Sequence, residues 1–211
     1  MKKYELLKQI VDEKVMAIIR VESFERAREI VDGCLSGGVR CLEISYTNFN
    51  ASDIIKQLDQ YYGDKIIIGA GTVLDSETAR LAMISGAKFI ISPTFNPEVA
   101  KMCNRYQISY IPGCSTMSEV VCALEHGADM IKAFPTSSLV GPKIISTIKT
   151  PLPYVPILSS GGVKIDNIPE WLSVGVDCMG VGTLLSQGST KDIAYNASAI
   201  KQKIKNTMSR W

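Results

Sequence analysis

The chain has almost no histidine: His126 is the only one. That excludes zinc motifs built on paired histidines and any His-rich metal centre. Chemistry needing an imidazole base would have to use His126, which sits in Glu125-His126-Gly127 and reads as a helix C-terminus before a capping glycine. No apolar run reaches the length of a membrane span. The charged start Met1-Lys2-Lys3-Tyr4-Glu5 lacks the apolar segment of a signal peptide behind it. The six cysteines contain no C-x-x-C pair and read as reduced thiols, several in the core. Neither sign of charge is in excess: 23 Lys and Arg against 21 Asp and Glu leave a net charge of +2. Nothing there invites nucleic acid or a membrane surface. The basic cluster Lys201, Lys203, Lys205 and Arg210 interleaves with Ile200 and Ile204, as on a solvated helix face. The expectation is a cytoplasmic chain with no metal, nucleic-acid or membrane partner.

What the chain does have is regular alternation. Its 211 residues, 46% of them hydrophobic, suit one domain over residues 1–211. Eight short runs rich in Ile and Val read as strands buried on both faces: Val15–Ile19, Val39–Ile44, Lys65–Gly69, Lys88–Ser92, Ile108–Pro112, Asp129–Ala133, Tyr154–Leu158 and Asp177–Val181. Helical patterns lie between them. Ser23 caps Phe24–Leu35, Asp75 opens the stretch to Ile84, and Pro97 stands in the first turn before Val99–Tyr106. Thr116 and Glu119 form a capping box ahead of Val120–His126. A weak repeat recurs at Ser36-Gly37-Gly38, Ser85-Gly86-Ala87, His126-Gly127-Ala128 and Val174-Gly175-Val176, each ending a helix and starting a strand. Eight such βα units predict an α/β fold, a closed (β/α)8 TIM barrel, with an open doubly wound sheet as the alternative. Lys191–Trp211 reads as a last amphipathic helix without an assigned partner.

Two charged residues interrupt the apolar strands. Lys132 lies in Met130-Ile131-Lys132-Ala133-Phe134-Pro135 and Glu43 in Cys41-Leu42-Glu43-Ile44. A buried ammonium carries a large desolvation cost unless it is paired or gives up its proton. A neutral buried lysine is a nucleophile that forms Schiff bases with carbonyl substrates. The alternatives are a lysine that snorkels to solvent, or a Lys132–Glu43 ion pair.

In (β/α)8 barrels the active site lies at the C-terminal ends of the strands. Those ends bring Arg20, Glu43, Gly69-Ala70-Gly71-Thr72, Ser92-Pro93, Lys132, Ser160-Gly161-Gly162 and Gly180-Val181-Gly182-Thr183 to one rim. Arg20 suits an anionic group or is a surface arginine. Gly69-Ala70-Gly71-Thr72 either lets backbone approach a ligand, with the Thr72 hydroxyl as donor, or makes a tight turn. The glycine-rich ends of the last two strands, including Gly161, Gly162 and Gly182, match a recurrent phosphate site made of backbone N–H groups and a helix N-terminus. They imply a phosphorylated substrate.

Taken together, Leu42-Glu-Ile-Ser45, Gly69-Ala-Gly-Thr-Val73, Ser92-Pro93, Ile111-Pro-Gly-Cys-Ser-Thr116, Ile131-Lys-Ala-Phe-Pro135 and Ser160-Gly-Gly-Val163 resemble the 2-keto-3-deoxy-6-phosphogluconate aldolases. That family includes 6-phosphogalactonate and 4-hydroxy-2-oxoglutarate aldolases. The likeness runs from about Val15 to Leu185 in the same order. It implies a class I, cofactor- and metal-independent, homotrimeric barrel acting on a phosphorylated 2-keto acid and pyruvate. It further implies Lys132 as the Schiff-base lysine and Glu43 as general acid and base working with a water. Thr72 and Arg20 would bind the pyruvate carboxylate, Pro93 would shape that end, and Phe134 would pack beside the imine. Gly161, Gly162 and Thr183 would hold phosphate. Two departures stand out. Many relatives carry arginine where this chain has Thr47, and phosphogluconate enzymes carry threonine where it has Ser160, whose hydroxyl still leans toward the gluconate epimer. Other readings are an unphosphorylated substrate, a phosphate-binding barrel isomerase or epimerase, and a non-catalytic sugar-phosphate binding protein.

Overall fold

The computed structural model describes residues 2–209. Nine parallel strands form one sheet: β1 Val15–Ile19, β2 Cys41–Ser45, β3 Ile67–Gly71, β4 Phe89–Ile91, β5 Ser109–Ile111, β6 Gly113–Cys114, β7 Ile131–Ala133, β8 Ile157–Ser160 and β9 Cys178–Val181. They run in the order β5-β4-β3-β2-β1-β9-β8-β7-β6. The ninth strand corrects the expected count of eight, because the run Ile108–Pro112 extends past Pro112 and is cut there into β5 and β6. Proline has no N–H to give the ladder. The two pieces face opposite neighbours, β5 pairing with β4 and β6 with β7. Asp129 N–H donates to the Tyr110 carbonyl (3.1 Å) and Lys132 N–H to the Pro112 carbonyl (2.9 Å), so the ring closes into the (β/α)8 barrel.

The period-two alternation of each strand builds two apolar layers. Val15, Ala17, Ile19, Leu42, Ile44, Ile68, Ile131 and Ile157 point outward under the helices. Met16, Cys41, Ile67, Phe89, Ile91, Ile111, Met130, Leu158 and Cys178 point inward and fill the lower barrel. Ile10, packed with Leu6, Leu7 and Val11 of the helix Lys2–Glu13, closes the barrel floor. Each fully buried Ile or Leu contributes about 1.5–3 kcal/mol.

The last helix is Thr190–Met208, and Arg210 and Trp211 of the expected segment lie outside the described residues. It packs on the helix Phe24–Ser36, where Gly37 brings the backbones together: a Cβ there would lie 2.4 Å from the Ala197 Cβ. Among the described residues no helix is long and apolar enough to cross a membrane. His126 caps the helix Met117–Glu125, its Nδ1 lying 2.8 Å from the Cys122 carbonyl.

Candidate active site

The inward column of each strand continues from the apolar floor toward the C-terminal rim. On β2, Cys41 gives way to Glu43 and then Ser45. On β7, Met130 gives way to Lys132 and then Phe134. The two charges stand on opposite walls, with β1, β9 and β8 between them on one side and β3, β4 and the β5/β6 strand on the other.

Glu43 is 1% exposed, and neither carboxylate oxygen has a hydrogen-bond partner among the described residues. Its space comes from a glycine. A Cβ on Gly71 would lie 1.7 Å from Oε1 of Glu43, and a Cβ on Gly69 would lie 2.2 Å from the Phe89 ring. Gly69 and Gly71 thus make room for neighbouring side chains. Lys132 is 5% exposed, and its Nζ lies 4.8 Å from the centroid of the Phe134 ring, a cation–π distance. With both Glu43 oxygens unpartnered, no Lys132–Glu43 ion pair forms.

Thr72 follows β3 at φ 59°, a left-handed backbone that a β-branched residue adopts only under constraint. Its hydroxyl lies 2.8 Å from Oγ of Ser45, which is itself fully buried. The half-buried Pro93 follows β4, and its carbonyl oxygen would lie 2.0 Å from a Cβ on Gly113, so β6 can pass it only as glycine.

Arg20, Phe134, Ser160, Gly161, Gly162, Gly182 and Thr183 line one cavity of about 290 Å³ at the ends of β1, β7, β8 and β9. Phe134 joins it to Lys132. Gly180 and Val181, from the glycine-rich end of β9 already read as part of the rim, line it too, as do Ile18 and Ser138, to which the sequence assigned nothing. The position of Ile18, two residues along from the inward-facing Met16, was the available signal for it. Gly161 and Gly162 both have positive φ, 91° and 80°. The N–H groups of Gly161, Gly162 and Val163 make no hydrogen bond to the described residues, which leaves them for an anion. The loop holding them is fixed from both sides. Ser137 Oγ donates to the Ser160 carbonyl (2.8 Å) and accepts from the Ser160 N–H (3.1 Å). Asn167 donates to the Gly162 carbonyl (2.9 Å). The helix after Gly182 is a single turn, Thr183–Ser186, so its dipole adds little to the free N–H groups.

Fold and rim together define a (β/α)8 barrel of the kind that carries enzyme sites at the C-terminal face of its strands. Within that class the chain belongs to the KDPG and KHG aldolase family, whose model matches residues 6–201. Members are aldolases, that is, carbon–carbon lyases. A 2-dehydro-3-deoxy-phosphogluconate aldolase of Treponema pallidum is 32% identical over 76% of this chain and 76% of its own. A 2-dehydro-3-deoxy-6-phosphogalactonate aldolase of Escherichia coli is 33% identical over 88% of this chain and 91% of its own. Among solved structures, KDPG aldolase from Legionella pneumophila, with pyruvate captured as a covalent carbinolamine, superposes with a TM-score of 0.78 at 26% identity, covering 92% of this chain and 93% of that one.

Proposed function

We propose that the chain is a class I aldolase that cleaves 2-keto-3-deoxy-6-phosphogluconate reversibly to pyruvate and glyceraldehyde 3-phosphate, with Lys132 as nucleophile and Glu43 as acid and base. The observation that carries this is the pair itself. One lysine and one carboxylate, both buried and neither neutralised by the other, face across a barrel below a cavity with free N–H donors. Groups held at such cost with no structural partner are candidates for chemistry.

The Nζ of Lys132 attacks C2 of the keto acid, and the carbinolamine loses water to give an iminium. Glu43, through a water, takes the proton of the C4 hydroxyl. The C3–C4 bond breaks, its electrons pass into the iminium, and an aldehyde leaves the enamine of pyruvate. Glu43 returns the proton to C3, and hydrolysis frees pyruvate and Lys132. Thr72 serves the carboxylate and Pro93 shapes that end, whereas Arg20, which the resemblance pairs with Thr72, lines the cavity of Gly161, Gly162 and Thr183 and serves the phosphate. Phe134 packs beside the imine, and Gly161, Gly162 and Thr183 hold phosphate. The iminium is the electron sink, so the scheme asks for no metal. A homotrimer is part of the same proposal.

A second reading, cleavage of the 6-phosphogalactonate epimer, is favoured by the relative of that name at 33% identity. The Ser160 hydroxyl at the cavity wall supports the gluconate epimer. Borohydride reduction with pyruvate and EDTA tests the chemistry. A reduced adduct on the Lys132 peptide, absent from Lys132→Ala, is expected. Unmodified Lys132 in folded protein would overturn the Schiff-base scheme and favour an isomerase or a binding protein. Rates with the two epimers, and with 4-hydroxy-2-oxoglutarate, then identify the substrate.

A further inference from the structure

The hydroxyl that would meet the keto-acid carboxylate does not stand alone. Ser45 Oγ lies 2.8 Å from Oγ1 of Thr72 and 3.1 Å from Oγ1 of Thr47. Ser45 is fully buried, Thr47 is exposed, and Thr72 lies between these extremes at the rim. Three hydroxyls from the ends of two neighbouring strands thus form a chain from solvent to the mouth of the barrel. We propose that Ser45 is a positioning residue that, with Thr47 behind it, aims the Thr72 O–H at the carboxylate of the bound 2-keto acid. This deepens the proposed aldolase reading and rests on it.

The argument is one of donor counting and strain. Each hydroxyl has one proton to give and two lone pairs. For Thr72 to donate to an anion, it must accept from a neighbour or leave that lone pair empty in a partly buried place. Ser45 Oγ is the hydroxyl within reach. Once Ser45 donates to Thr72, Thr47 Oγ1 can donate to Ser45, and the Thr47 N–H also points at Ser45 Oγ from 3.5 Å. All three O–H dipoles then run toward the anion and polarise one another. The same bond holds Thr72 in its left-handed backbone, which carries its side chain at the rim at a conformational cost. Glu43, on the same inward column two residues before Ser45, makes no hydrogen bond to this chain of hydroxyls. Carboxylate binding and proton transfer are therefore separable here.

The test is the dependence of borohydride trapping on pyruvate concentration in wild type, Ser45→Ala, Thr47→Val and the double variant, each checked for folding by its thermal transition. Ser45→Ala removes one oxygen and adds no bulk. Its half-saturating pyruvate concentration is expected to rise roughly tenfold, the size of a hydrogen bond to a charged group. The trapping rate at saturation stays unchanged. Thr47→Val is expected to raise half-saturation about threefold, by weakening the dipole chain. The double variant matches Ser45→Ala, because Thr47 acts through Ser45. Unchanged half-saturation in Ser45→Ala, or full additivity of the two substitutions, would overturn the proposal while leaving the aldolase reading intact. Failure of wild type to be trapped on Lys132 would overturn both.

Discussion

Gly71 and Glu43 share one place in the barrel: a methyl group on Gly71 would lie 1.7 Å from the Glu43 carboxylate. The φ of Gly71 is not in the left-handed region, so alanine suits the backbone there and the conflict is confined to the carboxylate. Gly71→Ala is therefore expected to fold and to displace Glu43. A shift of that size in a reacting group costs on the order of 100-fold in kcat. Steady-state kinetics beside a circular-dichroism melt check it. Unaltered kcat in the folded variant would mean that the position of Glu43 does not matter.

Glu43 is buried without a partner and Lys132 with only the Phe134 ring beside its Nζ, so function and stability should oppose each other at both positions. Lys132→Met and Glu43→Leu each exchange an uncompensated polar group for an apolar one of similar length. Each is expected to abolish turnover and to raise unfolding free energy by about 1–3 kcal/mol. Urea denaturation measures it. Loss of stability in both would show that the charges are structurally satisfied.

Glu43 and Lys132 were legible in the sequence because a charge inside an Ile- and Val-rich run breaks a pattern that burial on both faces imposes. The barrel was legible for the same reason, and eight of the rim residues named from strand ends line a single cavity. Strand edges were less so. Val39–Ile44 begins two residues before β2, and Tyr154–Leu158 starts three residues early and stops two short of β8, since apolar residues continue into the turns. The floor helix Lys2–Glu13 went unread although Leu6, Leu7, Ile10 and Val11 have helical spacing, because it precedes the first βα unit. The use of Gly71 was illegible, because what a glycine makes room for comes from a different strand. Ser45 could be placed on the inward column but not paired with Thr72, as the two are joined only through the register of β2 and β3.

The paired glycines after β8 should separate phosphate recognition from keto-acid chemistry. Gly161 has a φ of 91°, and a Cβ there would lie 2.9 Å from the Ser138 Cβ, so alanine is both strained and crowded. Gly161→Ala is expected to raise KM for the phosphorylated substrate at least about tenfold by turning its N–H groups away. The pyruvate dependence of borohydride trapping should not change. Equal losses for both ligands would mean a collapse of the whole rim.

The thiols set an alkaline limit on stability. Burial pushes Cys34, Cys103, Cys114 and Cys178 up to about 12. An unfolded thiol ionises near 8.5. Between those values the unfolded chain has released protons that the folded chain retains, so stability is whole below about pH 8 and falls as pH rises toward 12. Melting temperatures across pH 8–11 should decline. Iodoacetamide at pH 8 should label the half-buried Cys122 first in native protein and the buried five only on unfolding. Rapid native labelling of Cys178 would contradict its place in the barrel floor.

The opposite end of the barrel is built for stability. Asp129 accepts from the Tyr110 N–H (3.0 Å) and pairs with Lys3 (3.0 Å), tying the floor helix to the strands. Asp177 repeats the device between the Ile157 N–H (2.8 Å) and Lys149 (2.7 Å). Each carboxylate satisfies a backbone donor and a largely buried ammonium at once, so its removal leaves the backbone donor unmet and the ammonium without its counter-charge, Lys3 keeping only its bond to Asn104 Oδ1 (3.2 Å). Asp129→Ala and Asp177→Ala are each expected to cost about 2–3 kcal/mol, more than an exposed ion pair and less than a fully buried one. Because the substituted groups lie at the N-terminal ends of the strands, kcat and KM at 25 °C should stay within about twofold of wild type. Lys3→Ala added to Asp129→Ala should cost little further, since its charged partner is already gone and only its bond to Asn104 remains. A fall in kcat without a fall in melting temperature would place these carboxylates in the reaction instead of under it.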